Sequence, residues 1–270
     1  MKCIYTILAI ILVSVSFNIS AQVGFYESDV LLIAHRGGVV DSITPENSKE
    51  AIIKAAELGY WMVEIDIQVT KDGVLITNHD RNLKKCYGID RDIADMKWEE
   101  ISELKSETGA LVQNFEDVLT LCRELGLNVM IDNKIKGYDY NLCTRIVNLL
   151  DKYELREQAL MIGTSATTEF FTGKIRLSCT RQQLENNMLR KDYSPNNYYY
   201  FGNPTKEDAE WAREHGIMIV GVINEWAIPK VNEDSIVKET VKNLVDQKVR
   251  YIQLDSKYAS YLHNQKIIID

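Results

Sequence analysis

The sequence has no excess of basic residues, no cysteine motif and no repeated or low-complexity segment. Its 31 lysines and arginines face 39 aspartates and glutamates, and the net charge is −8. A nucleic-acid-binding surface is therefore not expected. None of the five cysteines belongs to a CxxC pair, and their spacing matches no zinc template. With no linker visible in a chain of ordinary globular composition, we expect one domain over residues 22–270.

Long apolar runs are also absent, except at the N-terminus. There, Lys2 precedes an apolar stretch from Ile4 to Phe17. This stretch is shorter than the ~20 residues that a membrane-spanning helix needs. A secretory signal over residues 1–21 is therefore the preferred interpretation, and a membrane anchor is the alternative. After signal cleavage the protein would be exported to the periplasm or the medium, with no stable membrane anchor.

Short strand-like runs alternate with helix-like patterns from residue 31 onward. Such alternation predicts a parallel sheet, and eight strands are the number in a closed (β/α)8 barrel, the TIM barrel. The predicted strands cover residues 31–35, 62–68, 128–132, 159–163, 174–179, 198–201, 217–223 and 251–255. The helix candidates include residues 45–59, 114–126, 206–216 and 235–247. The predicted fold class is therefore α/β, a (β/α)8 TIM barrel.

One segment interrupts this alternation. In "EIDIQVTKDGVLITNHD", residues 64–80, a second strand-like run follows the second strand after the turn signal "KDG". We expect a β-hairpin that folds His79 back beside Glu64 and Asp66. Residues 81–113 should then form a small, polar and irregular insertion over one end of the barrel.

Three acidic residues are expected to meet at the barrel mouth. Glu64 and Asp66 are two residues apart on one strand, so their side chains point to the same face. Asp132 ends another predicted strand, and parallel strands end at the same mouth. An ion pair with lysine or arginine is the alternative for Glu64 and Asp66. Three converging carboxylates favour one hard divalent cation, Ca²⁺ or Mg²⁺, with Ca²⁺ slightly preferred for an exported protein.

Two of the four histidines end strand-like runs at the same predicted mouth. A single buried histidine is usually structural, but His35 and His79 beside three acids are better explained as a general base and a general acid. Arg36 follows His35 and has the planar fork that binds phosphate. Lys134 would add a second positive charge, or form a salt bridge with one of the acids. The glycines at 37–38 would let the backbone approach a ligand.

Four motifs in a fixed order suggest a known family. They are "AHRGG" (34–38), "PENS" (45–48), residues 64–80 and "IDNK" (131–134), with weaker support from "FEDVL" (115–119) and "YIQLDSKY" (251–258). In these motifs the chain resembles the glycerophosphodiester phosphodiesterases. The resemblance implies a (β/α)8 barrel and metal-dependent hydrolysis of a small glycerol phosphodiester. The products would be sn-glycerol 3-phosphate and an alcohol such as choline or ethanolamine.

The resemblance also implies roles for individual residues. His35 and His79 would be the catalytic pair, Glu64 and Asp66 would bind the metal, and Arg36 and Lys134 would hold the phosphate. Glu46 of "PENS" would lie near the site; its alternative role is in the first turn of a helix that Thr44 caps. The family usually has glutamate at the position of Asp132, and its Trp-Thr-Val-Asn strand end corresponds here to "GVINEW" (221–226).

Two other functions stay open. A sphingomyelinase D-like or lysophospholipase D-like phosphodiesterase or lyase would share the barrel, both histidines and the acidic metal ligands. The shorter Asp132 slightly favours that alternative, whereas the "PENS" and "HD" motifs favour the glycerophosphodiesterase. The second alternative is an exported ligand-binding barrel without catalysis. The presence of His35, His79, Glu64 and Asp66 together argues against it.

Overall fold

Eight parallel strands form a closed ring in the computed structural model, which describes residues 30–262. The described residues contain ten strands: β1 (Leu31–Ala34), β2 (Met62–Val69), β3 (Leu75–Thr77), β4 (Gln113–Asn114), β5 (Asn128–Asn133), β6 (Leu160–Ile162), β7 (Arg176–Cys179), β8 (Tyr198–Phe201), β9 (Met218–Ile223) and β10 (Tyr251–Leu254). The eight strands of the ring are all of these except β3 and β4. Their order is β1-β10-β9-β8-β7-β6-β5-β2, and a parallel β1–β2 pairing closes the ring. The eight strands expected from the sequence are the eight of this barrel, so the predicted fold is confirmed.

Helices surround the ring and follow most of its strands. They are α1 (Lys49–Glu57), α2 (Lys84–Tyr87), α3 (Trp98–Ile101), α4 (Phe115–Leu125), α5 (Tyr140–Lys152), α6 (Thr168–Phe171), α7 (Arg181–Met188), α8 (Lys206–Glu214) and α9 (Glu233–Asp246). Local chemistry sets their ends. The Asn114 side chain, for example, accepts a hydrogen bond from the Glu116 backbone N–H at the start of α4, and Gly126 ends that helix in the left-handed conformation.

The barrel strands are buried on both faces, which divides the core into two regions. Val63, Ile65 and Ile67 of β2 belong to the outer core between strands and helices. Met62, on the opposite face of β2, packs inside the ring with Met130 and Tyr199. Because side chains alternate along a strand, Glu64 and Asp66 share the inner face with Met62. The sheet therefore directs both carboxylates into the barrel.

The predicted hairpin is present. Strand β3 pairs antiparallel with β2, with Ile67 opposite Thr77 and Val69 opposite Leu75. The pairing continues one step further, because the backbone N–H of Asn78 donates to the carbonyl of Asp66 at 3.0 Å. His79 therefore returns to the carboxyl end of β2, as expected.

The insertion after the hairpin differs from the expected polar, irregular segment. It includes α2, α3 and β4, and its buried apolar residues form a separate small core with Ile76. The members from the insertion are Leu83, Ile93, Met96, Ile101 and Val112. Five apolar side chains spread over 30 residues show no helix or strand period, so the sequence pattern did not reveal this core.

The expected start of α1 is wrong. Helix α1 begins at Lys49 and its N-cap is Ser48, so Thr44 is not the cap and Glu46 lies in the turn before the helix. The glycines at 37–38 also pack closely against the chain itself. A Cβ on Gly38 would lie 2.2 Å from the carbonyl oxygen of Ala51. The close approach is therefore that of the protein's own helix.

The proposed signal segment, residues 1–21, lies outside the described residues. Within residues 30–262, no helix has both the length and the apolar character needed to cross a membrane.

Candidate active site

The three predicted acids meet at the carboxyl end of the barrel. Asp66 of β2 lies directly opposite Asp132 of β5 in the parallel register, and Glu64 is one inward-facing position below Asp66. One oxygen from each carboxylate lies within 4.8 Å of the others. Glu64 and Asp66 are buried, and Asp132 is partly exposed. This group of oxygens could hold a metal ion.

Hydrogen bonds fix the orientation of these acids. The backbone N–H of Arg36 donates to Oε2 of Glu64 at 2.7 Å, and Nδ2 of Asn47 donates to Oδ2 of Asp66 at 3.0 Å. Lys134 forms salt bridges with Asp132 at 2.5 Å and with Asp66 at 3.3 Å. The salt bridge considered as an alternative for Lys134 is thus present. It does not exclude a phosphate contact, because the side chain is about one quarter exposed.

The acidic group has more negative charge than its protein partners neutralise. Three carboxylates share one ammonium group, that of Lys134. Burial raises the pKa of Glu64 well above its usual value, and the charges of Asp66 and Asp132 raise it further. Oε1 of Glu64 is buried without a hydrogen-bond partner among the described residues. An excess of carboxyl groups over ammonium groups, an unpaired oxygen and an all-oxygen donor set fit a hard divalent cation.

His35 belongs to the same mouth. Its Nδ1 lies 2.6 Å from Oδ1 of Asp255, and its Nε2 lies 4.0 Å from Oε2 of Glu64. The other oxygen of Asp255 accepts the backbone N–H of Glu225 at 2.6 Å. Burial alone would raise the pKa of Asp255, but the hydrogen bonds from His35 and Glu225 hold it below its usual value. Asp255 therefore remains a carboxylate that orients the imidazole and leaves Nε2 facing the acidic group.

His79 has a similar arrangement. Its Nδ1 lies 2.8 Å from Oδ1 of Asp80, and its charge is one of those that lower the pKa of Asp132. Its backbone carbonyl accepts a hydrogen bond from Gln68 at 3.3 Å, which ties the end of the hairpin to β2. The two histidines therefore lie at the same mouth, each with a carboxylate at Nδ1 and with Nε2 available.

Arg36 is held in place by Glu46. Its guanidinium donates to Oε2 of Glu46 at 2.6 Å, and Lys85 of the insertion approaches the other oxygen at 3.2 Å. The thiol of Cys86 also lies 3.7 Å from Glu46. Burial alone would raise the pKa of Glu46, but Arg36 and Lys85 bring it below its usual value. Glu46 therefore lies between two cationic side chains, one of which is Arg36.

A cavity of about 270 Å³ lies beside His35 and Arg36. Most of its lining is charged or polar, and its apolar side chains are Val40 and Trp226. Trp226 is 69% exposed. The lining residues are His35, Arg36, Val40, Glu46, Lys85, Glu225, Trp226, Asp255, Ser256 and Lys257. A small polar group next to a bound phosphate would fit this space.

The sequence analysis did not single out two residues of the site. Asn47, buried and in a left-handed conformation with φ of 55°, contacts Asp66 through both its amide nitrogen and its oxygen. Asn47 belongs to the "PENS" motif, so that motif could have identified it as a site residue. Asp255 follows the last strand in "YIQLDSKY", at the barrel end where the other polar residues were expected. Its position directly after a strand could have identified Asp255 as a residue of the barrel mouth.

Sequence comparisons match part of the chain to known proteins. The model of the Glycerophosphoryl diester phosphodiesterase family matches residues 35–159. The chain is 31% identical over 101 residues to the probable glycerophosphodiester phosphodiesterase 2 of Mycobacterium tuberculosis, a stretch that covers 37% of this chain and 38% of that protein. It is 38% identical over 84 residues to the human lysophospholipase D GDPD1, covering 31% of this chain and 25% of that protein. The chain thus spans less than two fifths of either relative.

A solved structure extends the likeness over most of the chain. It is that of a phosphodiesterase from Oleispira antarctica in complex with the product sn-glycerol-3-phosphate, with a TM-score of 0.67. The alignment covers 86% of this chain and 96% of that one at 15% sequence identity. At this identity the likeness shows a shared fold.

Proposed function

The chain belongs to the Glycerophosphoryl diester phosphodiesterase family through residues 35–159, and we propose that it hydrolyses glycerophosphodiesters to sn-glycerol 3-phosphate and an alcohol. The observation on which this rests is the meeting of three carboxylates and two histidines at one barrel mouth. Glu64, Asp66 and Asp132 lie within 4.8 Å of one another, and His35 lies 4.0 Å from Glu64. An anion, a hard cation and two proton-transfer groups can be brought together there.

The cation site consists of Glu64, Asp66 and Asp132. A bound Ca²⁺ or Mg²⁺ would neutralise negative charge on the phosphoryl oxygens. Arg36 and Lys134 would add two further positive groups for the same oxygens. Because Glu46 already orients the guanidinium of Arg36, little rotational freedom would be lost when a phosphate binds.

The histidines would transfer the protons. Hydrolysis breaks the bond between phosphorus and the alcohol oxygen, so a proton must leave the nucleophile and another must reach that oxygen. In the tautomer that donates Nδ1–H to Asp255, Nε2 of His35 would be the nitrogen that takes the proton as the general base. His79 is then the general acid. Each transfer is typically worth a factor of about 10²–10⁴ in rate.

The cavity supports a small polar alcohol. About 270 Å³ lined mainly by charged side chains matches a head group better than an acyl chain, which would need a continuous apolar wall. The aromatic strand β8 does not supply such a wall, because Tyr198 and Tyr199 are buried in the core. The named activity of the human relative keeps lysophospholipid hydrolysis as the second candidate.

A product assay tests the proposal. Purified protein is incubated with glycerophosphocholine, glycerophosphoethanolamine or lysophosphatidylcholine, with Ca²⁺, Mg²⁺ or a chelator, and ³¹P NMR identifies the products. We expect glycerol 3-phosphate from the first two substrates, and loss of the reaction with chelator. Turnover of lysophosphatidylcholine alone would favour the second candidate, and a cyclic phosphate as the sole product would indicate a lyase.

A pair of histidine variants provides the control. His35→Asn should abolish turnover, whereas His215→Asn should not, because His215 caps α8 with its Nδ1 2.8 Å from the Trp211 carbonyl. No turnover by the wild-type protein with either cation would refute the enzyme proposal and leave the non-catalytic binding barrel.

We also propose that the protein is exported and that its mature part is a single domain. The signal pattern over residues 1–21 supports secretion of a single domain covering residues 22–270. N-terminal sequencing of the protein recovered from the periplasm or medium tests this, and a mature chain that begins at Met1 in the cytoplasm would contradict it.

A further inference from the structure

Lys85, a residue of the insertion, lines the cavity of the candidate active site. It lies in α2, outside every motif that suggests the family, and shares the cavity wall with His35 and Arg36. Helix α2 is held by the small core of the insertion, because the residue before it, Leu83, is fully buried there. The side chain of Lys85 is 57% exposed, so its ammonium group can be reached by a charged ligand.

Glu46 connects Lys85 to Arg36. Nζ of Lys85 lies 3.2 Å from Oε1 of Glu46 and 3.4 Å from Oε2, and the Arg36 guanidinium donates to Oε2 at 2.6 Å. The backbone of Arg36 is fixed as well, since its N–H donates to Glu64 at 2.7 Å and its carbonyl accepts the Asn47 N–H at 2.8 Å. Arg36 is therefore held at both ends, and Lys85 shares the carboxylate that holds the outer end.

The formal charges of these side chains decide how strongly they attract an anion. Arg36 and Glu46 alone form a pair in which the positive charge is offset before a phosphate arrives. With Lys85, two cationic groups share one carboxylate, and positive charge is in excess. Lys134 and Lys257 offer no such excess, because each lies against two carboxylates. A local excess of positive charge is needed to attract an anion to a chain with a net charge of −8.

We propose that Lys85 is a positioning residue for phosphate binding, which offsets the charge of Glu46 and so leaves the guanidinium of Arg36 able to attract the phosphodiester. This role rests on the proposed function, since it needs a phosphodiester at the barrel mouth. The attraction acts alike on the bound substrate and on the transition state. Loss of the charge should therefore appear in KM and not in kcat.

Three lysine variants of the full chain test this role. Lys85→Gln removes the charge but keeps a hydrogen-bond donor for Glu46, and Lys85→Arg keeps the charge. Lys84→Gln is the matched control. It changes the net charge by the same amount at the neighbouring residue, which does not line the cavity and pairs with Asp90 at 2.9 Å.

Two constants are measured for each variant in the presence of Ca²⁺ or Mg²⁺. Steady-state kinetics with glycerophosphocholine gives KM and kcat, and inhibition by sn-glycerol 3-phosphate gives a binding constant for the anion. We expect Lys85→Gln to raise KM and the inhibition constant by about fivefold each, the upper end of the range for an exposed ion pair, with kcat within a factor of about two of wild type. Lys85→Arg should restore both constants, and Lys84→Gln should leave them unchanged. Because salt screens exposed charges, the difference between wild type and Lys85→Gln should shrink at about 1 M salt.

Several results would overturn this role while leaving the proposed function intact. They are unchanged constants in Lys85→Gln, an equal effect of Lys84→Gln, or a loss that Lys85→Arg does not restore. A fall in kcat with unchanged KM would also overturn it, because that would indicate a structural role of the insertion. A wild-type protein that hydrolyses no glycerophosphodiester would instead refute the proposed function, and the role of Lys85 with it.

Discussion

The imidazole of His35 and the carboxylate of Asp255 lie 2.6 Å apart, although 220 residues separate them in the chain. Strands β1 and β10 are neighbours in parallel register, with Ala34 opposite Leu254, so the residue after each strand reaches the same point of the mouth. Asp255 also accepts the backbone N–H of Glu225. The carboxylate is thus fixed from one side and orients the histidine on the other.

This pairing predicts a large effect of Asp255→Asn. The amide cannot stabilise a protonated His35 and can favour the wrong tautomer, so we expect kcat/KM to fall by about 100-fold or more. Steady-state kinetics with glycerophosphocholine measures the change. Asp246→Asn is the matched control, because Asp246 forms an exposed salt bridge with Lys242. A kcat/KM within a factor of about two of wild type would show that the pairing has no catalytic role.

The acidic group predicts an unusual pH dependence of stability. The pKa of Glu64 is raised in the folded protein above its ordinary value of 4.5, so the folded state holds this proton more tightly than the unfolded state. The free energy of unfolding of the cation-free protein should therefore fall as the pH rises from about 4.5 towards the folded-state pKa. The raised pKa of Asp132 acts in the same direction.

Urea unfolding in chelator at about pH 5 and about pH 8, for wild type and Glu64→Gln, measures this effect. Glu64→Gln should lose less stability across this range, because it has one titrating group fewer. Added Ca²⁺ or Mg²⁺ should stabilise the wild type more at the higher pH, by about 2.7 kcal/mol at a hundred times the dissociation constant. Identical pH profiles for the two proteins would contradict the raised pKa of Glu64 in the folded state.

Two site variants should separate cation binding from proton transfer. Glu64→Ala and His79→Ala should both abolish turnover, but only Glu64→Ala should strongly weaken cation binding, because Glu64 contributes an oxygen to the acidic group and His79 does not. Calorimetric titration and the product assay on the same samples give both quantities. Wild-type turnover in both variants would place the active site elsewhere.

The second glycine after β1, Gly38, leads to a prediction about stability. Gly38 has a φ of 137°, and a Cβ there would meet the Ala51 carbonyl at 2.2 Å. Gly38→Ala should therefore cost about 2 kcal/mol or more of unfolding free energy, from strain and overpacking together. Gly126→Ala is the control, since φ is also positive there but nothing lies within 4 Å of the added Cβ; it should cost about 1 kcal/mol. Equal costs would show that packing against α1 is not the reason for Gly38.

The sequence was informative where local pattern decides structure. Apolar alternation and helix-ending glycines located the eight barrel strands, and the turn signal "KDG" predicted the hairpin that returns His79 to β2. Side-chain alternation placed Glu64 and Asp66 on one face. Each of these features depends on residues that are only a few positions apart in the sequence.

Local pattern was less informative where neighbours in space are distant in the chain. The segment before α1 illustrates this. "PENS" was interpreted as a helix start with Pro45 at the first position, but the helix begins four residues later, at Lys49, and Asn47 turns its amide to Asp66. The apolar residues of the insertion were likewise too scattered to predict their own small core.

By itself, the sequence determined the barrel, the hairpin and the set of acids and histidines at one mouth. The tertiary structure decided the partners, Asp255 for His35 and Asn47 for Asp66. The physical reason is that alternation fixes only the direction of each side chain from its strand. Which groups then come within hydrogen-bonding distance depends on the register and curvature of eight strands together, and that geometry exists only in the folded ring.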